Sequence, residues 1–186
     1  MKRTNKLLPI RLYGDAILRE KLAESDVNDL GLLALIPDLV YTMYERDGVG
    51  LAANQVGSHF RMFVIDPHWS REDLAPNPIV MINPVIESTE GEIVGEEGCI
   101  SLPGIYADVH RAARITISYT NVEGNRQTKN AEGFEAVVIQ HEYDHLDGIV
   151  FTDKIGTLAK LKLKRKLKDL AAKAVDGVNI MEDLPE

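Results

Sequence analysis

Residues 140–148 read QHEYDHLDG, that is Gln140-His141-Glu142-Tyr143-Asp144-His145-Leu146-Asp147-Gly148. The HExxH within it, on a helix, sets His141 and His145 one turn apart on a single face, so both imidazoles reach one metal ion. Glu142 then leans over that ion as a general base. The pattern predicts a helix from about residue 133 to 146, closed by Asp147-Gly148, since glycine supplies the left-handed residue that ends many helices. A catalytic metal site takes three protein ligands and keeps one position open. The third ligand therefore decides which hydrolase this is.

Downstream of His145 lie Asp147, Asp153 and a lysine-rich stretch, with no histidine and no glutamate before Glu182. Asp147 falls two residues after His145, off the metal-facing stripe. Upstream, Glu96-Glu97-Gly98-Cys99-Ile100-Ser101-Leu102-Pro103-Gly104 holds the only cysteine, between a glycine and a short turn. Turns present ligands well, and a coordinated thiol gives up its proton to become a thiolate that binds Zn or Fe(II). Cys99 is the best third ligand. Asp144 faces away from the metal stripe and suits a supporting ion pair, while His59, His68 and His110 are isolated.

The rest of the chain bounds the setting. Its 186 residues suit one domain, expected over 1–176 with an acidic tail over 177–186. No run approaches the ~18 apolar residues of a membrane helix, and the opening MKRTNKLLPIRLYGDAI lacks the apolar core of a secretion signal. A lone cysteine forms no internal disulfide, so a reducing cytoplasm is the expected location. The net charge of −8 argues against general nucleic-acid coating. Leu32, Ile36, Val40, Met43 and Tyr44 predict a helix over 29–46, with a kink or a late start at Pro37. GVGLAANQVG then reads as a loop. FRMFVID (60–66), IVMINPVIES (79–88) and ARITISYTN (113–121) read as strands, and a last helix spans 157–175. The class is α+β: irregular antiparallel sheets packed around a central HExxH helix, with N-terminal and C-terminal helices.

Three segments together carry a family resemblance. Gly48-Val49-Gly50-Leu51-Ala52-Ala53-Asn54-Gln55, Glu97-Gly98-Cys99-Ile100-Ser101 and Gln140 through Gly148 resemble, in order, the GxGLAAxQ, EGCxS and QHExDHxxG segments of the peptide deformylase family. That family removes the formyl group from the N-terminal methionine of new bacterial proteins. The likeness runs over roughly 8–170, and the closing VNIMEDLPE has no counterpart. It implies a divalent metal on Cys99, His141 and His145, with water in the fourth position. Fe(II) is expected natively, with Zn(II), Ni(II) or Co(II) as substitutes. It further implies Glu142 as proton carrier, and the Gln55 side-chain amide and the Ile100 backbone N–H as oxyanion donors. Glu97 and Gly98 join the expected substrate-binding residues.

Phe134, Val137, Val138, His141 and His145 recur on one helix face, so the residues a turn before His141 lie beside the metal. Val137 and Val138, with Val49 from the glycine loop, are expected to wall a methionine pocket with Phe134 near it. Backbone around Gly50 and Gly104 is expected to pair with the peptide as an added strand. The cations from Lys154 to Lys173 form a helix face that is either simply solvated or, as the resemblance implies, a contact for ribosomal RNA near the tunnel exit, where that family's formyl-methionyl nascent chains emerge. Two other readings remain: a zinc metalloendopeptidase with a different third ligand, and a metal-stabilised binding protein.

Overall fold

The computed structural model describes residues 5–69 and 74–181. Helix α1 (Leu30–Glu45) begins on Asp29, whose carboxylate accepts from the N–H of Gly31 and Leu32, satisfying two of the donors a helix start leaves open. Pro37 does not delay it, because the helix starts seven residues earlier and runs through. The proline removes a bond to the carbonyl of Leu33, an exposed residue, where water can replace it.

The expected loop after α1 contains a short strand, β1 (Gly50–Ala52), and a 3-10 turn, Ala53–Val56. Then come β2 (Met62–Ile65), β3 (Ile79–Glu90), β4 (Ile93–Gly98), β5 (Tyr106–Arg111), β6 (Arg114–Thr120) and β7 (Arg126–Glu132). Five strands form one sheet in the order β1-β2-β3-β6-β7, antiparallel at every pairing, and β4 pairs with β5 as a separate ribbon. β3 carries Asn83-Pro84 inside it at a register shift, with Asn83 at φ +48. The α+β reading holds, with four strands more than the sequence revealed.

Helix α2 (Gly133–Leu146) has the bounds read from the sequence. β7 passes into it without a connecting residue, and Gly133 at φ +57 makes that turn possible. Its far end stops at Gly148, φ +72, where a Cβ would stand 2.6 Å from the Arg19 carbonyl oxygen. Arg61, largely buried, donates through Nη1 to the carbonyls of Leu146 (3.0 Å) and Leu22 (3.1 Å) and to Asp147 Oδ1 (2.9 Å). A cation there meets the negative end of the helix dipole.

Alternation along β2 divides the interior. Met62 and Val64 join Leu32, Leu39 and Met43 of α1, while Phe63 and Ile65 join Ala136, Val138 and Ile139 of α2. Successive strand residues face opposite sides, so the sheet separates two apolar clusters and holds α2 by one face. Helix α3 (Thr157–Ala171) ends short of 175. Asp176 (φ +52) and Gly177 (φ +77) form a tight reversal in which Val175 and Val178 exchange both backbone hydrogen bonds, the geometry that an Asp-Gly pair favours. Residues 177–181, read from the sequence as the start of a tail, consequently fold back onto the segment 10–16. The acidic residues beyond lie outside the described residues. Among those described, no helix is long and apolar enough to cross a membrane.

Candidate metal centre and cleft

Cys99 follows β4 directly and opens a turn closed by the Leu102 N–H donating to its carbonyl at 2.9 Å. Its Sγ lies 3.3 Å from His145 Nε2. The ligand atoms of Cys99, His141 and His145 all fall within 4.8 Å of one another. His141 Nδ1 contacts Glu97 Oε2 at 2.8 Å, which leaves Nε2 for a metal. One thiolate with two imidazoles suits zinc or another borderline first-row divalent ion. The residues present fit such an ion.

Behind His141 stands a chain of alternating charge that the sequence reading only half anticipated. Arg111 grips Glu97 through Nε (2.7 Å) and Nη2 (2.9 Å), and its Nη1 pairs with Asp144. Asp144 also meets Lys154 Nζ at 2.9 Å. Asp144 thus makes the expected ion pair, but Arg111 carried no local signal. Glu97, expected against substrate, lines the cleft yet has both oxygens committed to Arg111 and His141. Burial pushes its carboxyl up, but the hydrogen bonds from Arg111 and His141 outweigh that and hold it at about 2. Gln140 hooks the helix to the link between β5 and β6, exchanging hydrogen bonds with the backbone of Ala112.

Glu142 is buried, and its Oε2 has no hydrogen-bond partner among the described residues. Burial pushes its carboxyl up to about 7. Burial likewise drives His145 well below its ordinary value, keeping the imidazole neutral as a metal ligand requires. Gln55 is fixed end for end: its Oε1 accepts from the Ala52 N–H at 2.8 Å. Its Nε2 therefore faces Ser101 Oγ (3.1 Å) and Cys99 Sγ (3.4 Å). The Ile100 N–H has no backbone acceptor among the described residues.

A cleft of about 690 Å³ opens over this centre. Val49, Gly50, Gln55, Gly98, Ile100 and Gly104 line it, as do Val137, Val138, His141 and Glu142. Phe134 stands at its rim, 53% exposed, and His145 lies beneath it, outside the lining. Met181 and Tyr106 also line it, and neither was signalled by the sequence. The Trp69 indole N–H donates to the Gly48 carbonyl at 2.8 Å, and its ring meets Tyr44 edge-on. His59 and His110 pair with surface carboxylates of Glu20 and Glu92, and His68 is exposed.

A family model described as polypeptide deformylase matches residues 7–161. The chain belongs to the polypeptide deformylase family. Among its relatives, the peptide deformylase of Alkalilimnicola ehrlichii is 43% identical over 164 residues, covering 88% of this chain and 90% of that one. The crystal structure of the Thermus thermophilus peptide deformylase aligns with TM-score 0.78 at 40% identity, covering 89% of this chain and 98% of its own. The Synechococcus elongatus peptide deformylase, in complex with actinonin, aligns with TM-score 0.80 at 38% identity, covering 95% of each chain. Polypeptide deformylases are metal-dependent, in accord with the Cys99, His141, His145 cluster. The endopeptidase reading is not favoured.

Proposed function

We propose that this protein hydrolyses the formyl group from the N-terminal formyl-methionine of newly synthesised chains, releasing formate. One observation carries the reading: a thiol and two imidazoles converge beside a buried carboxylate with an oxygen unpartnered among the described residues, under a cleft rimmed by the Gln55 amide. Cys99, His141 and His145 would hold the metal, which when bound supplies a Lewis acid that activates water and polarises the formyl oxygen.

The chain's own groups do the rest. Glu142 takes a proton from water as the water oxygen bonds to the formyl carbon, then delivers it to the nitrogen as the C–N bond breaks. Charge developing on the formyl oxygen meets the Gln55 Nε2 amide and the Ile100 N–H, donors in place before reaction. Arg111 and Glu97 fix the His141 ring. Val49, Val137, Val138 and Phe134 enclose the methionine side chain, and backbone at Gly50, Gly98 and Gly104 pairs with the peptide.

Fe(II) is the native ion in this reading, with Zn(II), Ni(II) or Co(II) able to replace it. The enzyme works in the cytoplasm, in a single catalytic domain over 1–176 that the folded-back residues 177–181 join. Helix α3 offers Lys160, Lys162, Lys164, Arg165, Lys166 and Lys168 for ribosomal RNA near the tunnel exit. Its Leu158 and Leu161 are 78% and 65% exposed, unlike the buried Leu167 and Leu170. Formate release from formyl-Met-Ala-Ser, measured beside cleavage of an unblocked peptide, tests the function. Cys99→Ala must abolish both metal binding and formate release; turnover with full metal occupancy in that variant refutes the centre. Metal analysis of anaerobically purified protein identifies the ion, and salt-dependent cosedimentation with ribosomes checks the helix.

A further inference from the structure

The two apolar walls of the cleft belong to different cores. Val138 belongs to, and Val49 packs against, the cluster built on α2 and one face of the five-stranded sheet. Ile100, Leu102 and Met181 are part of the cluster built on α1. The first wall is assigned above to methionine, and the second has no occupant in that reading.

Met181 reaches the cleft only because the end of the chain is clamped. Asn179 is 3% exposed. Its Nδ2 donates to the carbonyls of Tyr13 (2.8 Å) and Leu170 (2.9 Å), and its N–H to Asp15 Oδ2 (2.9 Å). The Leu12 N–H donates to the Asn179 carbonyl at 2.6 Å, and the Met181 N–H to the Ile10 carbonyl at 2.8 Å. These bonds commit the short segment to the domain, so Met181 is held rather than trailing. It lies beyond the residues 7–161 that the family model matches.

We propose that Met181 is a specificity-determining residue that takes an apolar side chain from the residue following formyl-methionine. An extended peptide turns successive side chains to opposite sides. With methionine against the α2 wall, the next side chain faces the α1 wall. The flexible, polarisable thioether of Met181 suits contact with side chains of varied shape. This inference rests on the deformylase reading.

The test compares kcat/KM for formyl-Met-Leu-Ser and formyl-Met-Ala-Ser on the metal-loaded enzyme. Wild type is expected to favour the leucine peptide. Met181→Ala should cut that preference about tenfold, the scale on which an apolar pocket senses lost methylene contacts, mainly through KM. Met181→Leu should restore it. An unchanged ratio in Met181→Ala, or an equal fall on both peptides, overturns the inference alone. No formate from either peptide in wild type overturns the deformylase reading and this inference with it.

Discussion

Replacing Gly50 by alanine isolates the position of Glu142 from its chemistry. A Cβ at residue 50 would stand 2.6 Å from Glu142 Oε1, 2.8 Å from its Cγ and 2.9 Å from its Cδ. Gly50 sits in β1 without a positive φ, so alanine brings no backbone strain and the whole effect is steric. Ordinary contact begins near 3.4 Å, so the carboxylate must retreat by roughly 0.8 Å, and three crowded atoms require the side chain to turn as a unit. Misplacing a reacting group by about 1 Å costs about 10²-fold in rate, or roughly 2.7 kcal/mol in the barrier. Gly50→Ala should therefore lower kcat for formyl-Met-Ala-Ser about a hundredfold. Its metal content should match wild type, because the nearest neighbours of the added methyl are all atoms of Glu142. Initial rates of formate release at saturating peptide, with metal determined on the same samples, give both numbers. A kcat within about threefold of wild type at equal metal content would refute the view that Glu142 acts from this carboxylate position.

Gln55→Leu removes the side-chain donor while keeping volume, and should lower kcat by about 10²–10³ with KM little changed; a loss confined to KM would assign Gln55 to ground-state binding. Arg111→Met leaves two buried carboxylates, Glu97 and Asp144, without their shared cation, and should destabilise the fold by about 3–5 kcal/mol, read from urea unfolding. Glu97 also gives a pH signature. Its folded value of about 2 lies below the ordinary 4.5, so its contribution, on the order of 3 kcal/mol, is complete above about pH 4.5 and lost as pH falls toward 2. The stability gap between wild type and Glu97→Gln should accordingly be open at about pH 6 and closed near pH 2; a gap constant across that range would sink the assignment.

Much of the site was legible because its chemistry is written locally. His141, Glu142 and His145 share a helical period, and Cys99 sits in a glycine-flanked turn, so four groups announce themselves within two short stretches. β2, β3 and β6 were equally plain from their β-branched and apolar residues. β7 was not: RQTKNAE offers a single apolar side chain, Ala131, to the core and is held by its ladder with β6. β4, IVGEEG, carries two glycines and two glutamates, and its register with β5 is what aims Glu97 and Cys99. Arg111 and Met181 left no local trace, because their roles depend on partners distant along the chain. Glu97 lines the cleft, but motif membership does not say which neighbours its oxygens serve, so its bonds to Arg111 and His141 were not legible in the sequence. α3 was drawn too long because helical composition continues past Ala171 and only the Asp176-Gly177 turn reverses the chain.

The hydrogen bond from Trp69 to the Gly48 carbonyl ties the chain's only indole to the loop that carries Val49 and Gly50. No second indole competes with its emission. Gly48, Val49 and Gly50 line the cleft, so a peptide or inhibitor that shifts this loop is expected to change the Trp69 emission, a label-free optical test of occupancy usable even on variants that no longer turn over.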